Sequence, residues 1–369
     1  MGPRRLAAAT LLLAWAAALP APLPADEPPP LLPPPVLTAS HVSEVAPLKD
    51  LTPPGFADLI PPERHAESHA PGHLTPSAPA EGGLFAGVEY LLQRPRADGL
   101  DYALLNRTAG LATEGAITSL RYDLGSGLRI EAGYRFEESR LEASFVYTRL
   151  KASGGESVAA GPGQLVLPTL TRPGLTDSAL SASASAKLDY NLYDVLVGRR
   201  YALDENVAVR GFGGVRLADI GQDFGAAYAG LDARHAIVAT GTRFRGVGPV
   251  VGAEGVFAGR RGLHVYGRAT GALLSGPADN TYRDANDGGR TVYADLTHTL
   301  HKVVPTAGLA IGAGWQYRTV TLRAGYEVTH WFGLTDRVRL ASDVAQGAFT
   351  APSGNLAVEG LFVQFSLAY

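Results

Sequence analysis

Arg129, Glu131 and Arg135 stand at even spacings within one short segment. The same arrangement returns as Glu89, as Arg140 with Glu142, as Arg210 with Arg216, as Glu254 and Arg268, and as Arg323 with Glu327. Even spacing puts side chains on one face of a strand. Arginines and carboxylates in near balance on such a face allow two kinds of chemistry. They can line a water-filled passage and sort small solutes or ions by charge. They can also pair across a narrow lumen and close it. Only Lys49, Lys151, Lys187 and Lys302 are lysines among 32 basic residues. The rest are arginines, whose planar fork suits fixed carboxylate pairs in a confined space.

Other side chains offer weaker chemistry. A hydrolase needs a nucleophile and a base in hydrogen-bond reach of each other. His330 offers a base, but alternation turns it outward, with Thr329 and Trp331 inward. No Gly-x-Ser-x-Gly elbow occurs in the chain. His298 and His301 lie in a segment expected to be a long loop and supply two metal ligands without a third. Asp284, Asn286, Asp287 and Gly288 resemble a shortened calcium loop, and the missing residue favours a polar turn. His65, His69 and His73 would share a helix face, but Pro71 and Gly72 break that helix. Asn106-Arg107-Thr108 fits a glycosylation sequon, a three-residue pattern of little weight by itself. The chain has no cysteine, which excludes a disulfide framework, a thiolate metal site and a thiol nucleophile. A net charge of −3 argues against a nucleic-acid partner. No cofactor is expected.

The elements that must carry the charged face are strands. Leu84, Ala86, Val88, Tyr90 and Leu92 alternate with Phe85, Gly87, Glu89, Leu91 and Gln93. Leu128, Ile130, Ala132, Tyr134 and Phe136 alternate with Arg129, Glu131, Gly133, Arg135 and Glu137. A helix would spread Arg129, Glu131 and Arg135 around its circumference, so period two fits better. Further strands are expected at 141–148, 187–199, 206–220, 244–257, 263–274, 303–317, 320–332 and 355–369. The 187–199 strand has apolar residues on both faces around Asp194, and its orientation is not legible. Pro249 and Pro305 each remove a ladder donor and suggest a bulge or strand end.

Ten strands result, with eight or twelve as alternatives and 116–122 as a candidate extra strand. Long and short connections alternate along the whole series, the pattern of an outer-membrane barrel with long extracellular loops and short periplasmic turns. The closing strand sets Leu361, Val363, Phe365, Leu367 and Tyr369 on one apolar face. Such an edge is a liability unless it pairs with the first strand of a closed barrel. Antiparallel pairing with Leu84 to Leu92 is expected.

The start of the chain reads as targeting. Arg4 and Arg5 precede an apolar stretch at 6–19, and Ala16-Ala17-Ala18 or a site near Ala25 can be cleaved. Residues 1–25 are expected as a signal peptide. Residues 26–82 are expected as a disordered, Pro-rich periplasmic linker, with Pro28-Pro29-Pro30 and Pro33-Pro34-Pro35. Residues 83–369 are expected as an all-β, transmembrane, antiparallel up-and-down barrel in the bacterial outer membrane.

Several segments add a resemblance. They include Gly83-Leu-Phe-Ala-Gly-Val-Glu-Tyr-Leu, Gly127-Leu-Arg-Ile-Glu-Ala-Gly-Tyr-Arg-Phe and Val209-Arg-Gly-Phe-Gly-Gly-Val-Arg. Two more are Phe244-Arg-Gly-Val-Gly-Pro-Val-Val-Gly-Ala-Glu-Gly and Leu322-Arg-Ala-Gly-Tyr-Glu-Val-Thr-His-Trp. In this order they resemble the pore-forming barrel family typified by the Legionella major outer membrane protein, which has planctomycete-type members. The closing aromatic row resembles the signal read by the barrel assembly machinery. The resemblance implies a porin-like or structural barrel. The expected function is passive passage of small hydrophilic solutes or ions through a narrow lumen lined by Arg and Glu. A closed structural or surface-display barrel is the alternative, and an outer-membrane hydrolase a further one. The partners expected are outer-membrane lipid, the assembly machinery and possible copies of the same chain.

Overall fold

A computed structural model describes residues 82–108, 113–137, 139–345 and 347–369. The expected signal peptide, the linker up to residue 81, and His65, His69 and His73 lie outside the described residues.

Ten strands close into one antiparallel barrel. They are β1 (Gly83–Ala97), β4 (Gly125–Arg135), β5 (Leu141–Ala159), β7 (Ser181–Ala202), β8 (Val207–Gly230), β9 (Ala233–Ala258), β10 (Leu263–Asn286), β11 (Thr291–Tyr317), β12 (Val320–Asp336) and β15 (Ser353–Ala368). Each pairs with its neighbours in chain order, and β15 closes on β1. In that seam Val88 faces Phe365 and Leu92 faces Leu361. The ladder continues to the end, where the Tyr369 N–H donates to the Leu84 carbonyl at 2.9 Å. No sheet edge is left in the ring, so the apolar closing strand presents no open ladder.

Five shorter strands lie outside the ring. β2 (Asp101–Asn106), β3 (Gly115–Ser119) and β6 (Leu165–Pro168) form a small sheet with β2 in the middle. β13 (Arg339–Leu340) pairs with β14 (Phe349–Thr350). The candidate extra strand near 116–122 is therefore β3, and it belongs to the small sheet, not to the barrel wall.

The strands are longer than their apolar-out alternation indicates. β8 runs on to Gly230 and β9 begins at Ala233, while β10 ends at Asn286 and β11 begins at Thr291. The expected long loops at 220–244 and 274–303 are thus mainly strand, and His298 and His301 lie on β11. The polarity of the faces explains the difference. Toward the end that holds both barrel termini, the outward row of β7 is apolar (Tyr193, Val195 and Val197 are exposed). Toward the distal end the outward row is Lys187, Asp189 and Asn191, and Leu188, Tyr190 and Leu192 are buried inside. β11 inverts in the same way, with Val303, Leu309 and Ile311 outward below Thr297, Thr299 and His301. The wall therefore has an apolar outer band near the termini and a water-facing collar beyond it. The 187–199 strand was ambiguous because it crosses that boundary.

Exposed aromatic side chains gather at the terminal edge of the band, including Tyr134, Phe136, Tyr201, Phe257, Trp315 and Tyr317. Trp315 and Tyr317 stack at 5.8 Å. Such amphipathic rings suit a membrane–water interface.

Pro249 and Pro305 produce no shift of register. Pro249 keeps its place opposite Val215. Pairing of β9 with β10 lapses between Val250 and Val247, so the missing donor falls where no acceptor is engaged. Pro305 faces Leu273, and β11 begins to pair with β12 only at Thr306. Register shifts fall instead on β12 between Trp331 and Thr335, on β10 between Asp284 and Ala285, and on β8 between Tyr228 and Gly230.

Candidate functional site: the charged interior

The inward faces of the terminal half bring the predicted charges together. Glu327 on β12 lies at the centre. Its carboxylate accepts from Arg129 of β4 at 2.7 and 3.0 Å, from Arg268 of β10 at 3.0 Å and from Gln93 of β1 at 2.5 Å. Arg129 also donates to Glu89 and, at 3.1 Å, to the Thr148 hydroxyl. Since β4 and β12 are not neighbours in the ring, this cluster bridges the lumen. Glu89 and Glu327 are both buried. A buried charge is tolerated when it is paired and fully hydrogen-bonded.

A second cluster forms nearer the termini. Glu142 takes Arg210, Arg135 at 3.5 Å and Arg200 at 4.0 Å, while Arg210 reaches Glu131 at 3.7 Å. A third joins Arg323 to Glu254 at 3.1 Å, with the Arg323 Nε 3.3 Å from the His264 ring and its guanidinium over Tyr266. The fourth is a forked pair, Arg216 with Asp194, whose two hydrogen bonds are both 2.8 Å long. Asp194 and Arg216 are directly opposite in the β7–β8 ladder, and both are buried.

Glu89, Arg129, Glu131, Arg135, Glu142, Arg210, Arg216, Glu254, Arg268, Arg323 and Glu327 thus all sit on the inward face. Arg140 is a correction. It lies exposed in the turn before β5, with φ of 53°, and contributes nothing to the interior. Even spacing with Glu142 was misleading because the strand starts only at Leu141. Asp194, Arg200, His264 and the neutral Gln93 and Thr148 were missed as site residues. Register could have found Asp194, since it faces Arg216 across the β7–β8 ladder; the lumen-crossing contacts of Gln93 required the closed ring.

A cavity of about 90 Å³ remains among Glu89, Arg129, Arg210, Arg216, Arg268 and Glu327. It has room for a few waters and not for a continuous wide channel. Ten strands fall near the narrow end of the barrel series, where side chains fill the lumen.

Beyond the charges the interior becomes apolar. Leu188, Ile220, Phe244, Leu274, Val304 and Leu356 are buried there. Trp331, fully buried, packs edge-on against Tyr190 at 5.8 Å and donates its ring N–H to the Tyr190 hydroxyl at 3.2 Å. The small sheet completes this plug through Tyr102, Val166 and neighbouring buried residues. Two wall tyrosines tie it down: Tyr228 donates to the Tyr102 carbonyl at 2.6 Å and Tyr282 to the Leu170 carbonyl at 2.8 Å.

The other candidates separate. His298 and His301 lie three residues apart on one strand and so face opposite sides. The His298 ring is beside Phe349, and His301 is exposed. The Asp284 carboxylate accepts the Arg172 N–H at 2.7 Å, and Asn286 caps the Asp287 N–H at 2.9 Å. His330 packs on Phe332 at 4.4 Å.

A closed antiparallel ring with an apolar outer band, an aromatic edge and a charged interior defines an outer-membrane β-barrel. The chain belongs to the family described as Legionella pneumophila major outer membrane protein precursor, whose model matches residues 79–369. Comparison with curated proteins finds no match. Among solved structures it is similar to the outer membrane protease OmpT of Escherichia coli, at 10% identity over 78% of this chain and 97% of that one, with a TM-score of 0.47. It is also similar to the P. putida toluene transporter TodX (10% identity, 78% and 90%, TM-score 0.20). A third is a Pseudomonas aeruginosa FadL homologue (10% identity, 78% and 90%, TM-score 0.16). At these values the likenesses carry no argument about activity.

Proposed function

We propose that this outer-membrane barrel passes small hydrophilic solutes or ions passively through its narrow Arg/Glu-lined interior, and that the apolar plug keeps the passage closed most of the time. The observation that carries this reading is the lumen-crossing cluster of Glu327, Arg129, Arg268 and Glu89 around a water-sized cavity. A wall meant only to be a solid body is filled more cheaply by apolar side chains, because buried ion pairs often cost more in desolvation than they return. Paired charges can exchange partners and let an ion through one pair at a time. On this reading the inward residues conduct rather than catalyse. Both barrel termini lie on the periplasmic side, and the plugged collar lies outside the cell.

Arg135→Glu tests the lining. Arg135 pairs with Glu142 in the terminal cluster and is partly exposed to the interior. In planar bilayers the variant is expected to shift ion preference toward cations. An unchanged reversal potential under a salt gradient would remove Arg135 from the path.

The plug favours a second reading, a permanently closed structural barrel, because Trp331 and the buried apolar residues around it fill much of the collar. Wild-type and plug-weakened proteins would then be equally silent.

For assembly we infer that the row from Leu361 to Tyr369 is the segment read by the barrel assembly machinery. Deleting residues 365–369 removes the pairings of Phe365 with Val88 and of Ala368 with Phe85. Loss of the heat-modifiable folded band in the outer-membrane fraction is expected. A normal band would show that assembly is specified elsewhere.

A further inference from the structure

The collar holds a buried cation that the lumen clusters do not use. Arg337 follows β12 directly and is 6% exposed. Its guanidinium lies over the Phe224 ring at 4.7 Å, and one nitrogen donates to the Gly99 carbonyl. Among the described residues no carboxylate oxygen comes within 4.0 Å of it. The acids close to it are engaged elsewhere. Asp336 holds the Lys302 ammonium at 2.6 Å, Asp98 accepts from Asn355 at 3.0 Å, and Asp101 accepts from Ser119 at 2.5 Å. Burial draws the guanidinium pKa down to about 10, so it stays charged at neutral pH. A buried charge without a counter-charge is strongly disfavoured.

Unpartnered polar groups lie on the strand faces that carry its neighbours, Phe224 and the contact to Asp336. Gln222, Thr242 and Asn280 occupy one cross-strand row on the inward faces of β8, β9 and β10. Thr242 donates to the Asp336 carbonyl at 3.3 Å, which sets this row against the residue that precedes Arg337. Gln222 is two positions from Phe224 on the same face of β8. Gln222 is 5% exposed and Asn280 1%, and among the described residues neither amide has a partner for its nitrogen or its oxygen. The buried Tyr122 hydroxyl, close enough to sense the Arg337 charge, also has no partner among the described residues.

We propose that Arg337, Gln222 and Asn280 form a binding site for one small hydrated anion, a halide or a short carboxylate, inside the distal collar. Water alone can satisfy the amides but leaves the guanidinium charge uncompensated. An anion supplies the charge, and its waters donate to the two amide oxygens. The amide nitrogens, the Tyr122 hydroxyl and the guanidinium are the available donors. Occupancy does not require that the barrel conduct, so the proposal is independent of the passage.

Crystals of the detergent-folded protein grown in sodium bromide test it. An anomalous peak within hydrogen-bond reach of the Arg337 guanidinium is expected. It should be lost in Arg337→Met and weakened in Gln222→Leu. In solution, the thermal midpoint of the wild type should rise with bromide or formate relative to gluconate at equal ionic strength, as linkage requires. Gln222→Leu should lose most of that rise, which keeps the test decisive if Arg337→Met does not fold. No anomalous density beside Arg337, or an anion dependence unchanged in Gln222→Leu, would overturn the site.

Discussion

Replacing Glu327 with alanine is expected to destabilise the folded barrel by about 3–5 kcal/mol, the usual cost of leaving a buried ion pair half-made. Glu327 is the acceptor for Arg129, Arg268 and Gln93 together. Its removal leaves Arg129 with Glu89 and the Thr148 hydroxyl, and Arg268 with no carboxylate in ion-pair reach among the described residues. Two effects follow from the same loss. Unfolding in urea from detergent micelles should move to lower midpoint, and the interior should gain net positive charge. Folded Glu327→Ala should therefore prefer anions more strongly than the wild type. Glu327→Gln keeps the acceptor oxygen and should recover part of the stability without restoring the charge. A wild-type urea midpoint for Glu327→Ala would mean that the cluster is solvated and not a buried keystone.

Trp331→Ala is the second large change. Truncating a fully buried tryptophan commonly costs about 3–5 kcal/mol through lost transfer energy and an unfilled cavity. Here it also leaves the Tyr190 hydroxyl without its donor at a buried position. The change falls in the plug and not in the charged clusters. Loss of stability should then come with more frequent opening, measured as open probability in planar bilayers, while ion preference stays that of the wild type. A loss of stability with unaltered opening would separate the plug from the gate.

Much of the barrel was legible because lipid imposes a simple rule on its outer face. Wherever the outward row was apolar, as in Leu128, Ile130 and Tyr134 or Leu361, Val363 and Phe365, alternation gave both the strand and the facing of its side chains. The strand count followed from that alternation, and the closing seam from loop parity and the need to protect the last edge. The collar was hidden because the rule inverts there. Asp219 and Arg243 face outward and form a forked pair at 2.7 and 2.9 Å, while Ile220 and Phe244 point inward, as in a soluble sheet. A search for apolar-out strands reads such segments as loop.

The charged interior was legible as a set but not as a network. Parity placed Glu327 inward, yet its partners come from strands far apart in sequence and depend on how the ring closes. The turn position of Arg140 depends on where a strand begins, which alternation defines poorly. Nothing in the local pattern at 97–125 announces that its strands β2 and β3 join β6 and enter the mouth, since that sheet is held by distant tyrosines, Tyr228 and Tyr282.

Planar-bilayer recording of wild-type protein beside Trp331→Ala, each confirmed folded by heat-modifiable mobility, tests the gated passage most directly. Small, infrequent, discrete steps are expected from the wild type and more frequent steps of the same ion preference from the variant. Silence from both folded proteins would contradict the gated passage and leave a closed structural barrel.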